Sequence, residues 1–340
     1  MDMPHRSPRR TPWLVALVLS TALALAGCSG EEAQPSAGGS TPAESPAKPA
    51  PKPQQWPFTG ERTAKLPRHR AVAVKIENTS SSEPQRGLGS ADLVVRELVE
   101  GGLTRLVAFY YSSLPKQVGP VRSARATDIG IVKPAKGVLV AAGGAPRTMQ
   151  RVRGSHVVTA TEGTPGIYRV SNRPAPYNLM ANLRKLPDDK LRGPRPGAYL
   201  PWGQAADLGS GRPAEHVTTT FSAASSTDWT WNGRFWRRSG SHAAEGDDFR
   251  PQNLLVLEVR QTDAGYLDPA GNPVPESVLT GKGSATLFHD GSAYRGTWVK
   301  KAHNRPFSLV TAKGEKLPVP PGHTWIDLVP AGAGSVEFGR

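Results

Sequence analysis

Apolar positions along this chain fall into three regimes. Residues 13–26 form an apolar run of 14 residues broken only by Ser20 and Thr21. Residues 29–55 carry hardly an apolar side chain larger than Ala. From residue 56 onward, short apolar runs alternate with turns rich in Gly, Pro and Asp. Ala71-Val72-Ala73-Val74-Lys75-Ile76 places β-branched residues at alternate positions, the signature of a strand. Leu93-Val94-Val95 and residues 103–111 are two further strands joined through Gly101-Gly102, and Val138-Leu139-Val140 reads as a short buried strand. Helices are predicted over 123–131, 146–152 and 176–186, the last with Pro176 in its first turn and Pro187 as its stop.

Residues 188–215 are rich in Gly and Pro and read as an interdomain connection. Beyond them strands are predicted at 253–260, 284–289, 294–300, 308–311 and 324–329, with tight turns at Asp290-Gly291 and Lys313-Gly314. The expected fold class is therefore α+β. An N-terminal mixed α/β domain (residues 56–187) precedes a mostly β C-terminal domain (216–330) and a tail (331–340).

Composition changes this picture mainly at the N-terminus. The 340 residues include 36 Gly and 33 Pro, too few for a low-complexity chain, and a single cysteine. One cysteine excludes structural disulfides, iron–sulfur clusters, Cys-rich zinc sites and redox pairs within one chain. Arg6, Arg9 and Arg10 precede the apolar run, which is shorter than the ~20 residues a membrane span needs and suits a signal peptide over residues 1–27. The run ends in Leu25-Ala26-Gly27-Cys28, which resembles the lipobox of bacterial lipoproteins. That resemblance implies diacylglycerol transfer to the Cys28 thiol, cleavage before it, and acylation of the new amine.

Residues 28–55 then form a disordered stalk, because such a composition cannot repay its ordering entropy. The stalk reaches roughly 30 Å as a coil and roughly 80 Å when extended by its prolines. The expected location is the cell membrane, lipid-anchored and facing the extracytoplasmic side. Net charge is +14, spread without a compact Lys/Arg run. In that location the accessible partners are the membrane itself, anionic cell-wall polymers and envelope proteins, and nucleic acid is not expected.

Several motifs together point to a family. They are Val74-Lys75-Ile76-Glu77-Asn78, Arg86-Gly87-Leu88, Ala91-Asp92, Leu98-Val99-Glu100-Gly101-Gly102-Leu103-Thr104-Arg105 and Gly119-Pro120-Val121-Arg122-Ser123-Ala124-Arg125. With Ala142-Gly143-Gly144, Ala175-Pro176-Tyr177-Asn178-Leu179, Trp298-Val299-Lys300 and Gly322-His323-Thr324-Trp325, the chain resembles the YerB-like family of bacterial lipoproteins, a domain of unknown function. The resemblance covers roughly residues 56–330 and implies an extracytoplasmic lipoprotein. Tyr177 departs from a pattern that often has His there.

Polar chemistry concentrates at Glu97, Glu100, Arg105, Arg122, Arg125 and Asp128. On a helix, Arg122 and Arg125 would share one face and, with Arg105, could bind a phosphate or carboxylate. The same groups could instead form a structural ion network with Glu97 or Glu100. Paired carboxylates for glycan cleavage are a third reading of Glu97 and Glu100. Asn178 and His242 complete the candidate ligand-binding residues. His242 lies near Glu245, Asp247 and Asp248, either a cation site or an exposed acidic loop. Trp229, Trp231 and Trp236 suit either sugar stacking or a β core, and core is the ordinary reading.

No catalytic residue, metal ligand or cofactor is assigned. Gly143-Gly144 lacks the Lys-Ser/Thr of a phosphate loop, and Ser113-Leu114-Pro115-Lys116 has no K-T-G to accompany it. The expected function is a binding or scaffolding module of the cell envelope. The alternative is an enzyme or receptor acting on a phosphorylated or carboxylated cell-wall intermediate through the Arg/Glu site. Replacing the thiol tests the anchor: Cys28→Ala is expected to move the protein from the membrane pellet to the soluble fraction on detergent-free fractionation. Unchanged pelleting would contradict lipidation.

Overall fold

The computed structural model describes residues 54–340, so Cys28, the apolar run before it and nearly all of the stalk lie outside the described residues. The first half supplies strands β1 (Val72–Glu77), β2 (Leu93–Leu98), β3 (Thr104–Tyr110), β4 (Val138–Val140) and β5 (Val158–Ala160). It also holds helices α1 (Thr127–Val132) and α2 (Pro146–Gly154). The second half begins with β6 (His216–Ser222), β7 (Ser225–Trp231), β8 (Trp236–Arg238), β9 (Asn253–Val259) and β10 (Gln261–Leu267). β11 (Pro273–Ser277), β12 (Gly281–His289), β13 (Ser292–Lys300), β14 (Thr324–Pro330) and β15 (Ser335–Gly339) follow. Strands account for 41% of the described residues and helices for 13%, so the fold is mainly β rather than an even mixture.

An eleven-stranded sheet organises the molecule, in the order Arg212–Pro213, β13, β12, β9, β14, β2, β3, β1, β4, β5, with Ser308–Val310 pairing β13. β9, β14 and β2 run parallel, as do β1, β4 and β5, and β3 lies antiparallel between β2 and β1. With β13, which is antiparallel to β12 as β12 is to β9, seven strands therefore point the same way. Every residue of β1, β3 and β14 is buried, as expected of strands covered on both faces.

One face packs beneath α1, α2 and the segments carrying Phe58, Tyr199 and Trp202. The other is covered by a second sheet, β8-β7-β6-β15, which contributes Val217, Phe221, Trp229 and Trp236. Trp229 meets Trp325 edge to face at 5.2 Å and Trp236 meets Phe288 at 5.9 Å, so these tryptophans fill the core. Trp231 is half-buried against Trp236.

The two sequence regions on either side of residues 188–215 thus contribute to one sheet. The link is the parallel pairing of β2 with β14. The connecting segment itself holds a short helix at Asp188–Leu191 and the edge strand Arg212–Pro213. Asp290 and Gly291 both have positive φ, 47° and 64°, the geometry that joins β12 to β13 by a two-residue hairpin turn.

Three expectations need correction. No helix spans 176–186; Leu179–Ala181 is a strand paired with Ile167–Arg169. Its backbone is claimed by Val118 and Val121, which bond to Ala181 and Leu179. Long-range backbone pairing here overrides local helix signals. The helix predicted at 123–131 begins only at Thr127, because Arg122 and Ala124 donate backbone hydrogen bonds to Lys75 and Gly143. The tail contains β15, whose alternation of Val336 and Phe338 pairs it with β6 and returns it to the core.

The aromatic cluster over the sheet sets a stability expectation. Phe109 is fully buried, stacked on Phe58 at 4.9 Å and tilted against Tyr199 at 5.1 Å. Phe109→Ala should cost about 3–5 kcal/mol in urea unfolding. A loss below about 1 kcal/mol would show that this cluster does not bear on stability.

Candidate functional site

The carboxyl ends of β1 and β2 bring buried charges to both faces of the sheet. Because successive strand residues point to opposite sides, the dipeptide Arg96-Glu97 divides its charges between the two layers.

On the helical face, Lys75 is fully buried and its Nζ contacts Glu97 and lies 2.8 Å from Asp128 Oδ1. Arg125 Nε donates to Glu100 Oε2 at 2.8 Å and its Nη2 contacts Glu100 Oε1, to which Arg105 Nη2 also donates at 3.0 Å. Arg122 Nε lies 2.5 Å from Glu77 Oε2, and its guanidinium sits over the Tyr177 ring at 5.1 Å. Four cations face four carboxylates, so the cluster is electrically closed. Arg122 and Arg125 lie on an extended segment rather than a helix, and they reach different carboxylates. The structure thus brings Glu97, Glu100, Arg105, Arg122 and Arg125 together, but as mutual partners without excess positive charge for an anion.

The electrostatics agree. Burial pulls the Lys75 amine down to about 8 against the opposing pull of Asp128, leaving it an ammonium at neutral pH. Burial would raise Glu100, but the Arg125 hydrogen bond and the charges of Arg105 and Arg125 hold it at about 2. A carboxyl that has lost its proton by pH 4 is a poor general acid near neutrality, and Glu97 is fully buried against Lys75. The pair is arranged for ion pairing rather than for glycan cleavage.

On the opposite face Arg96 and Asp327 are direct cross-strand partners on β2 and β14. Their contact is bidentate, Nε to Oδ1 at 2.8 Å and Nη2 to Oδ2 at 2.6 Å. Arg96 also donates to Thr219 at 2.7 Å and Thr227 at 2.5 Å, and Trp325 Nε1 donates to Asp327 at 2.6 Å. Nearby, Arg238 donates to Asp248 at 3.1 Å and to Ser241 at 3.0 Å, with its guanidinium 4.9 Å above the Trp325 ring. Burial lowers the Arg238 pKa, partly offset by Asp248.

These two arginines border a cavity of about 390 Å³ whose walls include Asn78, His242, seven Ser/Thr hydroxyls and no carboxylate. The cavity opens beyond the carboxyl ends of β1 and β2, where β6 and β7 turn over the sheet. In open parallel sheets that end is the usual place for ligands.

His242 lines this cavity and its Nδ1 lies 2.7 Å from Glu83. The acidic residues near it in sequence disperse: Asp247 accepts from the Gly87 and Gly89 amides, and Asp248 pairs with Arg238. Among the described residues no three His, Cys, Asp or Glu side chains gather as metal ligands. Asn178 stands apart, its side-chain oxygen accepting from Arg169 at 2.6 Å. Sequence reasoning missed Arg96, Asn78 and Arg238. The available signal was a charge pair ending an apolar strand, Leu93-Val94-Val95-Arg96-Glu97, where two adjacent charges must occupy both faces of a buried sheet.

Comparison with known proteins follows the same division into halves. Residues 58–192 match the family model described as "Protein of unknown function (DUF3048) N-terminal domain", and residues 217–326 match its C-terminal counterpart. The chain is 26% identical over 296 residues to "Putative lipoprotein YerB" of Bacillus subtilis (strain 168), covering 81% of this chain and 86% of that protein. It shares its fold with the crystal structure of the YerB protein from Bacillus subtilis. The TM-score is 0.69 at 23% identity, over 84% of this chain and 99% of that one. The two matched regions together span well over half of the sequence, and the chain belongs to this YerB-like family.

The Arg96–Asp327 contact makes the site testable by stability. Asp327→Asn leaves a buried guanidinium without its counter-charge and should cost about 3–5 kcal/mol in denaturant unfolding. A change below about 1 kcal/mol would mean that the pair is hydrated or interchangeable. Acid gives a second expectation. The folded-state pKa of Glu100 lies below its unfolded value, so its contribution is present above pH 4.5 and lost as pH falls toward 2. Glu100→Gln should therefore flatten the fall in stability over that window; an unchanged slope would contradict the assignment.

Proposed function

We propose that this family member is an envelope lipoprotein, tethered through Cys28, whose folded part is a binding module for a hydroxyl-rich component of the cell wall. The lipoprotein part of the reading is supported by the lipobox-like Leu25-Ala26-Gly27-Cys28 and by the name carried by the Bacillus subtilis relative. No helix among the described residues is long and apolar enough to cross a membrane, which is compatible with anchoring by acyl chains.

The observation that carries the binding reading is the 390 Å³ cavity with two buried guanidinium groups, seven hydroxyls and no lining carboxylate. Arg96 and Arg238 are each fixed by one aspartate, so they are oriented before a ligand arrives. With their charge balanced by Asp327 and Asp248, the guanidinium groups act as oriented hydrogen-bond donors, and Ser and Thr hydroxyls can donate to or accept from sugar hydroxyls. The closed ion network on the helical face then serves as the rigid floor that holds the ends of β1 and β2 in place.

Binding of soluble fragments from enzymatically digested cell wall to the full-length protein in detergent micelles tests this reading. The wild type should bind saturably, and Arg238→Met should weaken binding about tenfold or more, the scale of a lost charged hydrogen bond. Ala224→Trp, which fills the cavity from an exposed turn and leaves both ion pairs intact, should do the same with an unchanged melting temperature. Equal binding by wild type and Ala224→Trp, or none by the wild type, would overturn it.

A further inference from the structure

A second depression, of about 510 Å³, lies at the other end of the sheet, where the amino ends of β1, β4 and β5 meet the loop that follows β13. Arg70, Lys133, Lys136, His156 and Arg305 line it, and no carboxylate does. None of these five makes an ion pair with another described residue. This is the reverse of the carboxyl end, where every cation has a carboxylate partner.

The ordinary explanation for basic residues here would be the helix dipole, since the helical segments ending at Ala135 and Gly154 both finish beside the depression. Each helix C-terminus is equivalent to roughly half a negative charge, about one in total. Four Lys and Arg side chains exceed that by roughly three positive charges, before any protonation of His156.

The walls are also built in place. Arg70 Nε donates to the Arg192 carbonyl and Nη1 to the Lys136 carbonyl, both at 3.0 Å, which fixes the guanidinium and leaves donors unused. The buried amine of Lys300 donates to the carbonyls of His303, at 3.3 Å, and Arg305, so the loop bearing Asn304 and Arg305 is tied down. Lys136 and His156 have φ of 51° and 60°, two of the three non-glycine residues with positive φ among the described residues. Glycine would adopt that backbone without strain, and strained non-glycine residues concentrate at functional positions. Here both strained positions carry basic side chains lining one depression.

We propose that this depression binds a phosphate ester, with Arg70, Lys133, Lys136 and Arg305 supplying the countercharge and hydrogen-bond donors. A tetrahedral phosphate takes donors from several directions, which converging Lys and Arg side chains provide. The volume exceeds a single phosphate and accommodates an attached polyol such as glycerol. The site is independent of the cavity at the carboxyl end.

Isothermal titration of the full-length protein in neutral detergent with sn-glycerol 3-phosphate, at fixed ionic strength, tests it. One saturable site is expected, weakened at least tenfold in Lys136→Gly/Arg305→Ser. Lys136→Gly removes a charge while relieving a left-handed backbone, so the single variant should bind more weakly yet melt at or above the wild-type temperature. Ala224→Trp should leave this binding unchanged. Displacement of the probe by phosphatidylglycerol vesicles and not by phosphatidylcholine vesicles would assign the phosphate to a lipid headgroup; absence of displacement would assign it to a soluble or polymeric ester, and either supports the site. No saturable binding by the wild type, or equal affinity in the double variant, would overturn it.

Discussion

The parallel pairing of β2 with β14 is the constraint on which the rest depends. It sets Leu93–Glu97 opposite Thr324–Leu328 and so joins the part of the sheet built from the first half of the sequence to the part built from the second. Without that seam, β14, buried throughout, and β2, buried from Leu93 to Glu97, would become apolar edges. Arg96 and Asp327 face each other across it. A one-residue slip would turn one of them to the other face and leave both charges buried without partners. The ion pair therefore penalises every register but the native one, whatever its net contribution to stability.

From that seam the two ends of the sheet acquire different characters. At the carboxyl ends, the charges of β1, β2 and β3 are neutralised on the helical face, while the opposite face opens into a hydroxyl-lined cavity. At the amino ends, cations stand without carboxylates and backbone strain is concentrated on basic residues. A protein with such polarity can present chemically distinct surfaces at the two ends of one rigid sheet.

Much of the framework was legible in the sequence. The alternating and continuous apolar runs located β1, β2, β3, β4, β9, β12, β13 and β14 to within a few residues, because burial on two faces leaves a dense apolar signature. Asp290-Gly291 marked its hairpin because few other dipeptides accept positive φ twice. The short pairings were not legible. Leu179–Ala181 becomes a strand by pairing with Ile167–Arg169 and by bonding to Val118 and Val121, more than 50 residues away, and β15 depends on an edge offered by β6.

The candidate site followed the same rule. Clustered charges between residues 97 and 128 were visible, yet whether they were free or mutually paired depended on a fold that brings Lys75 and Glu77 beside them. Arg238 reached its cavity only through the turn between β7 and β8. Spacing in one sequence carries no information about such contacts.

Native-state hydrogen exchange on the full-length protein tests the seam most directly. Amides of Val94, Val95 and Leu106 on one side and of Leu255, Ile326 and Leu328 on the other should open with the same free energy and the same denaturant dependence, as one cooperative unit. Exchange of β9 and β14 at markedly lower free energy, with β1 to β3 still protected, would mean that the halves are separate folding units and would contradict this account.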